Sequence, residues 1–459
     1  IPILVNCISS AGKSQETLTE CSLAAEAIWR ISEDHQENKV GFAEEGAITP
    51  LVSMLASPQP EMCTHAAAAL ASLSKDNTEN QAAIARTGAI APLCSLVREA
   101  EAETKEQAAW ALWALSLDNA PNKVTIAKLG GIEPLVGLVV TGGTEVSGRN
   151  ASGALASLAS KHAENRTSIA KRLTVLLNTK SEERAVRVLA ALAFISADNA
   201  ANQVAVAKAG AIPAIVSWLA SETAETEAAH AVLSIAVDNL TTCALVIKSE
   251  GIPPLIKIIA RSMVPKAQEY ACRSLWHLAA LEINQTAIAE AGGVPPLISM
   301  LSADVPTAEQ TARARAMLAA DESLTLAREL AAVTLRRLVQ GNLGVSATVA
   351  ESGGIPVLVT LLSSDSAYAQ QQAVASLTEL ALLSRHCYEI AAANGVQLLV
   401  KLLSCPTVGT PELSARALNH LARGNDSTGS ASLFEDDAIA TARGIAEAAK
   451  QVPDMERSE

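Results

Sequence analysis

The chain has 459 residues, of which 49% are hydrophobic but only 2% are aromatic, and its formal net charge at pH 7 is −13. The apolar residues are therefore mainly alanine, leucine, valine and isoleucine, which suit closely packed helices better than a β-sandwich. The acidic balance argues against nucleic acid as a partner, because phosphate binding needs a basic surface, and no apolar run reaches the roughly 18 residues of a membrane span.

The cysteines indicate the compartment. Eight are scattered along the chain, and no two form a C-x-x-C pair. This distribution is typical of reduced thiols rather than of a disulfide framework or a zinc site. We therefore expect a cytoplasmic protein, with cytoskeletal, ciliary or nuclear locations left open.

One pattern begins in the first fifty residues and recurs at intervals of about 40 residues. A glycine is followed by a small residue, an apolar residue and a run that contains proline, as in GAITPLV (46–52) and GAIAPLC (88–94). The apolar residue that marks each copy is Ile48, Ile90, Ile132, Ile212, Ile252, Val294, Ile355 and Val396.

Each period predicts three helices. NQAAIARTG (80–88) is typical of a short helix that ends at a glycine C-cap. ITPLVSML (48–55) predicts a second helix with proline in its first turn, where a missing N–H costs little. EQAAWALWALSLDN (106–119) predicts a third, longer helix with apolar residues at helical spacing. Because HAAAALASL (65–73) is apolar on most sides, we expect the third helices to be buried between neighbours.

Two copies depart from the pattern. The copy near 168–198 is degenerate, since SIAKRLTVLL (168–177) lacks both the glycine and the proline. A later copy carries an insertion near 302–322, which is either a tolerated surface loop or an element specific to a partner.

The repeat pattern ends at Gly424. We divide the chain into a repeat array over 1–424 and a final segment over 425–459. That segment begins with an acidic linker (425–437), continues with a candidate capping helix (438–450) and ends in a polar tail.

With its recurring G-[AG]-I-x-P-L-V junction, the sequence resembles the armadillo repeat family over roughly residues 1–424. The resemblance implies an all-α, right-handed superhelical solenoid of about ten three-helix repeats. It also implies a long concave groove lined by the third helices, in which protein partners bind.

The resemblance also points to two groove positions in each third helix. In nuclear-import adaptors of this family, asparagines at one position hold a peptide backbone and tryptophans at the other hold its basic side chains. No asparagine occupies the first position here: the residues are Arg30, Ser72, Ala114, Ser157, Phe194, Ser234, His277, Arg337, Glu379 and His420. One tryptophan occupies the second, in the series Glu26, Ala68, Trp110, Gly153, Ala190, His230, Arg273, Val333, Ala375 and Arg416. The import-adaptor function is therefore disfavoured.

Several groove positions remain candidates for partner binding. The later copies place basic residues there, opposed mainly by Glu379, and these are either a stripe for acidic or phosphorylated segments or ordinary solvated positions. Trp113 precedes one asparagine position, as do Trp29 and Trp276; these rings either pack against the next repeat or act as exposed anchors. The predicted partner-binding residues are Arg30, Trp110, Trp113, His230, Arg273, His277, Arg337, Glu379, Arg416 and His420.

No motif indicates catalysis. The sequence lacks G-x-x-x-x-G-K-[ST], H-E-x-x-H and G-x-S-x-G motifs, and its histidines do not have the spacing of metal ligands. We predict no catalytic, cofactor or metal site and no enzyme activity. The leading interpretation is a scaffold that binds protein segments along the groove. The alternatives are a structural part of a ciliary or cytoskeletal assembly, and an adaptor module of a longer ubiquitin-transfer or transport protein.

Overall fold

A computed structural model describes residues 1–9, 15–141, 143–302 and 322–428. These residues form helices and connecting turns without a strand, and they divide into two compact units, Ile1–Leu245 and Val246–Glu459. The all-α solenoid predicted from the sequence is confirmed. The handedness of a superhelix and the continuity of a single array over 1–424 stay predictions.

The described residues of the first unit form sixteen helices that lie wholly within it. They are α1 (Pro2–Ser9), α2 (Gln15–Ser32), α3 (Gln36–Glu44), α4 (Ile48–Met54), α5 (Pro60–Ser74), α6 (Thr78–Arg86), α7 (Ile90–Glu99), α8 (Ala102–Ser116), α9 (Ala120–Lys128), α10 (Ile132–Thr141), α11 (Glu145–Ala159), α12 (Ala163–Leu177), α13 (Glu182–Ser196), α14 (Ala200–Lys208), α15 (Ala211–Trp218) and α16 (Glu225–Ala236). The next helix, α17 (Leu240–Lys248), contains the boundary between the units.

The described part of the second unit contributes eleven more helices. They are α18 (Ile252–Arg261), α19 (Pro265–Leu278), α20 (Glu282–Glu290), α21 (Val294–Ser302), α22 (Glu322–Val339), α23 (Leu343–Glu351), α24 (Gly354–Leu361), α25 (Ala367–Leu380), α26 (Ser384–Ala392), α27 (Gly395–Leu402) and α28 (Thr410–Thr428). Apart from its two end residues, the predicted insertion near 302–322 lies outside the described residues. So does the final segment beyond Thr428, with its candidate capping helix, and α28 continues four residues past Gly424.

The third helices form the core of each unit. They are α2, α5, α8, α11, α13 and α16 in the first unit and α19, α22, α25 and α28 in the second, and each packs on the next within its unit. In α5 the alanines Ala66–Ala69 and Ala71 are fully buried, as are Leu70 and Leu73, which agrees with the mostly apolar sequence. Alanine lets neighbouring helices approach closely, so each third helix buries apolar surface on two sides.

The glycine after the first helix sets the shape of a repeat. Gly210 has φ +81°, a left-handed conformation that glycine adopts without strain, and the chain turns there into α15. In the degenerate copy Leu173 stands at the equivalent position, and α12 runs on as one helix through Leu177. This copy therefore has two helices instead of three, because nothing in its sequence ends the first one.

A hydrogen bond recurs at each of the nine described repeat junctions. A polar side chain in the first turns of a first helix donates to a carbonyl at the end of the preceding third helix, over 2.5–3.4 Å. These junction residues are Asn38, Asn80, Asn122, Asn165, Asn202, Thr242, Asn284, Ser346 and His386. The last four carbonyls of a helix have no partner within it, so the bond satisfies a group that would otherwise be buried without one.

In five of the described repeats, a long side chain at the residue after the junction residue donates to a carbonyl near the end of the third helix of its own repeat. Gln81 donates to the Ala114 carbonyl at 2.9 Å, and Lys39 donates to the Lys75 carbonyl at 2.8 Å. Gln203 does the same to Ser234 at 2.9 Å. Where both bonds are present, the first helix is tied to two successive third helices.

We expect Asn80→Ala to lower the free energy of unfolding by about 1–3 kcal/mol, because it leaves the Leu73 carbonyl without a donor and removes a second hydrogen bond to the Lys39 carbonyl. Urea unfolding and amide hydrogen exchange at the ends of α5 and α6 measure the effect. Asn178→Ala, at an exposed asparagine, is the control and should change stability by less than about 0.5 kcal/mol. Equal effects of the two variants would contradict a junction role.

His386 makes its junction sensitive to pH. Its Nδ1 lies 3.1 Å from the Leu380 carbonyl, while Arg385 Nε donates to its Nε2 at 3.2 Å, so the neutral ring satisfies both neighbours. Burial lowers the pKa of His386 below its usual 6.5. The unfolded chain therefore takes up the proton first, and stability should fall as the pH drops below about 6.5.

His386→Asn supplies the amide found at most other junctions, and we expect it to remove part of this acid sensitivity. The measurement is the urea midpoint at about pH 7.5 and at about pH 5.5. His35→Asn, at an exposed histidine, is the control. An unchanged pH dependence in His386→Asn would show that this histidine does not titrate as described.

Candidate functional site

The third-helix surface, meaning the outward side of the third helices in each unit, carries all the predicted partner-binding residues. Arg30, Trp110, Trp113 and His230 lie in the first unit, and the other six lie in the second.

In the first unit, aromatic rings bridge alternate third helices. Trp29 of α2 meets Trp110 of α8 edge to face, with ring centroids 6.3 Å apart, although α5 lies between their helices. At the groove positions of α5 stand Ala68 and Ser72, which are 0% and 1% exposed. These small side chains leave room for the rings above them.

A second bridge has the same design. Trp113 of α8 meets Phe194 of α13 at 6.3 Å and 84°, across α11. The residue of α11 beneath the indole is Gly153, and a Cβ there would lie 2.6 Å from the Trp113 ring. Trp110 and Trp113 are therefore half-buried against other third helices rather than freely exposed, and the sequence alone had left this open.

Arg30 also contacts other side chains of the same helix. Its guanidinium lies 4.5 Å from the centroid of Trp29, and its Nη2 is 3.4 Å from Glu26. The side chain remains exposed, so a partner could contact it without first displacing a buried group.

Beside the second bridge is a cavity of about 550 Å³, which we call the socket. It lies between α11, α13 and α16, and its lining includes Ser152, Ala190, Phe194, Glu227 and His230. Phe194 is 40% exposed, an unusual exposure for a large apolar ring.

The two arginines at the socket each pair with a carboxylate of their own helix. Arg149 pairs with Glu145 at 3.0 Å, and Arg187 pairs with Glu183 and donates to the Val140 carbonyl. Burial raises the pKa of Glu227 above its usual value. The socket is therefore a depression with one aromatic wall, small residues on α11 and α13, and the polar Glu227 and His230 on α16. Its aromatic wall suits an apolar side chain of a partner.

In the second unit, several of the predicted basic residues contact other side chains of the same unit. Arg273 lies 3.5 Å from Glu269, a 1%-exposed carboxylate that Lys266 also contacts at 2.7 Å. Arg337 stacks over the Trp276 ring with 4.3 Å between guanidinium and centroid. The His277 ring lies edge to face with Trp276, 4.7 Å away.

Glu379, Arg416 and His420 form a group at the end of this surface. Glu379 accepts a hydrogen bond from the Gly341 amide at 3.4 Å. Burial, with the nearby guanidinium groups of Arg423 and Arg416, lowers the pKa of His420, and Glu379 opposes this. The exposed Arg416 and the partly exposed Arg273 thus present positive charge, whereas Arg337 is covered on one side by Trp276.

Sequence reasoning missed two features of the site. Phe194 was recognised only as a missing asparagine, although an aromatic residue at that position signals a lining group. The junction residues were seen as part of the repeat pattern, but their bonds to the preceding third helix were not foreseen.

The described residues also bear on metal and membrane sites. No group of three or more His, Cys, Asp or Glu side chains there is placed to hold a metal ion. In the same residues no single helix is long and apolar enough to cross a membrane. Two helix pairs, α9 with α10 and α23 with α24, together have the required length and composition, but they are bent by 78° and 88°.

Comparison with known proteins agrees with the repeat geometry. The model of the armadillo/beta-catenin-like repeat matches residues 36–75, 77–116, 243–280 and 344–382. No curated protein matches the chain in sequence.

Two crystal structures of engineered proteins are similar to this chain. The first is 26% identical, with a TM-score of 0.64 over 92% of this chain and 98% of that chain. The second is 25% identical, with a TM-score of 0.48 over 56% of this chain and 97% of that chain. The first of these likenesses agrees with the helices described above, and the fold is that of an all-α helical-repeat protein. The four matched stretches of the chain are armadillo-type repeats.

We expect Gly153→Ala to destabilise the protein by about 1–3 kcal/mol, because the new Cβ collides with the Trp113 ring. The intrinsic fluorescence spectrum should also shift as the indole moves. Gly148→Ala is the control in the same helix, since its Cβ meets nothing within 4 Å, and it should stabilise by about 0.5–1 kcal/mol. A neutral Gly153→Ala would mean that the ring does not rest on the helix.

Proposed function

We propose that this protein is a non-enzymatic scaffold whose third-helix surfaces bind segments of protein partners. Armadillo repeats generally mediate protein–protein interaction. The observation that carries the proposal is the socket, where Phe194 stays 40% exposed beside small residues of α11 and α13. An exposed aromatic wall beside a depression is typical of a pocket for an anchoring side chain.

We further propose that partners of the second unit are acidic or phosphorylated. Arg273 and Arg416 support this because both guanidinium groups are exposed on third helices. Arginine forms bidentate hydrogen bonds with carboxylates and phosphates. The pair between Arg273 and Glu269 reduces the available charge, so we expect moderate rather than tight binding at this surface.

The test is affinity purification of the tagged protein from cells, with quantitative mass spectrometry of captured partners. Ala190→Arg fills the socket at an exposed position and should remove a subset of partners. Ala220→Arg, at an exposed position outside the socket, should remove none. If both variants capture the same partners as the native chain, the socket does not bind partners, and a structural role through other surfaces is favoured.

The acidic-partner proposal has its own variant. R273E/R416E should lower capture of acidic or phosphorylated partners by about tenfold, and phosphatase treatment should mimic the loss for phosphorylated ones. R98E/R261E makes the same change in charge at exposed ends of second helices and should have no effect. Equal capture by both double variants would refute the acidic-partner proposal while leaving the socket untouched.

A further inference from the structure

A second surface lies in the first unit, away from the third helices. Two successive first helices, α12 and α14, enclose a groove of about 500 Å³, which we call the α12–α14 groove. It belongs to the degenerate repeat, in which α12 continues unbroken past Lys171, whereas α14 ends at the equivalent Lys208.

The floor of the groove is made of small apolar side chains. Five of its lining residues recur on one face of α14 and its C-cap, and one opens α12: Ala200, Ala201, Val204, Ala205, Ala209 and Ala163. Small side chains of this kind allow a helix to approach closely.

Two polar side chains of the lining already form hydrogen bonds near the floor. The Thr167 hydroxyl donates to the Ala163 carbonyl at 2.9 Å, and Arg166 Nε donates to Asn202 Oδ1 at 2.9 Å. The floor therefore suits apolar groups better than a free anion, which needs several convergent donors.

The rim of the groove is positive. The lining contains Arg166, Lys171 and Lys208 and no carboxylate, although the chain as a whole carries a net charge of −13. Both lysines are exposed, and neither forms a salt bridge within the part of the chain that the structure describes. They occupy equivalent positions in successive repeats, so they stand side by side on the two helices.

We propose that the α12–α14 groove binds an acidic amphipathic helix of a partner protein. The helix would lay alanine or other small apolar residues on the floor and pair carboxylates with Lys171 and Lys208. The lining runs over 163–171 and 200–209, about 12–14 Å at 1.5 Å per residue, which accommodates about two turns of helix. Charge complementarity selects an acidic helix over a neutral or basic one.

The experiment uses a displayed library of short amphipathic helices, selected against the full chain. Half of the library carries glutamates beside the apolar face, and the other half carries glutamines at the same positions. We expect the acidic half to be enriched, and the selected helices to protect 163–171 and 200–209 from amide hydrogen exchange.

Variants then locate the site. K171E/K208E should weaken binding of a selected helix at least about tenfold, and A201W, which fills the groove at an exposed position, should do the same. K128E/K248E and A82W make the same changes at exposed positions of other first helices and should leave affinity unchanged. A190R, in the socket, should also have no effect, which separates this groove from the proposed scaffold surface.

Three results would overturn the proposal. One is enrichment of the two library halves alike, or of neither. Another is an equal loss of affinity in K171E/K208E and K128E/K248E. The third is competition by inorganic pyrophosphate together with pyrophosphate binding in the absence of helix, which would make the groove a site for small anions.

Discussion

The hydrogen bond at each repeat junction is the constraint on which the rest of the structure depends. A helix end leaves carbonyls without partners, and in a stacked array these carbonyls face the next repeat rather than water. The junction residue satisfies one of them, as Asn202 does for Ile195 at 2.8 Å. Because this bond recurs at the same place in each repeat, it fixes where each first helix sits against the third helix before it. This arrangement sets the spacing of the third helices and therefore of the side chains on their surfaces.

The same constraint explains two buried cations. Lys39 and Lys123 are 1% and 4% exposed, and burial lowers the pKa of each ammonium group. Each donates to a carbonyl at the end of a third helix, Lys75 at 2.8 Å and Ser160 at 3.2 Å, where the helix dipole favours positive charge. Gln81 and Gln203 do the same task without charge. In these four repeats the position holds a long side chain that donates a hydrogen bond, whether or not it carries a charge.

The two third-helix surfaces use their side chains differently. In the first unit, large rings from alternate helices meet above Ala68 and Gly153, so much of their surface is buried against other side chains. The socket is the depression beside the second of these ring pairs. In the second unit, Arg273 is paired with Glu269 and Arg337 is stacked on Trp276. Neither surface has the asparagine series that holds an extended backbone in import adaptors. The proposed partner binding would therefore rely on side-chain anchors and charge.

The sequence by itself determined the repeat, because the glycine, the proline and the apolar spacing act within one or two turns of chain. It located the helix breaks, the ten third helices and the degenerate copy near 168–198, where Leu173 replaces the glycine. Only the tertiary structure decided which groove residues contact other side chains of the same chain. Trp110 and Trp113 meet rings from helices two repeats away, and Arg337 meets Trp276 one repeat away. Such contacts depend on the size of the residues on intervening helices. The sequence pattern of one helix does not specify which side chains of other helices pack against it.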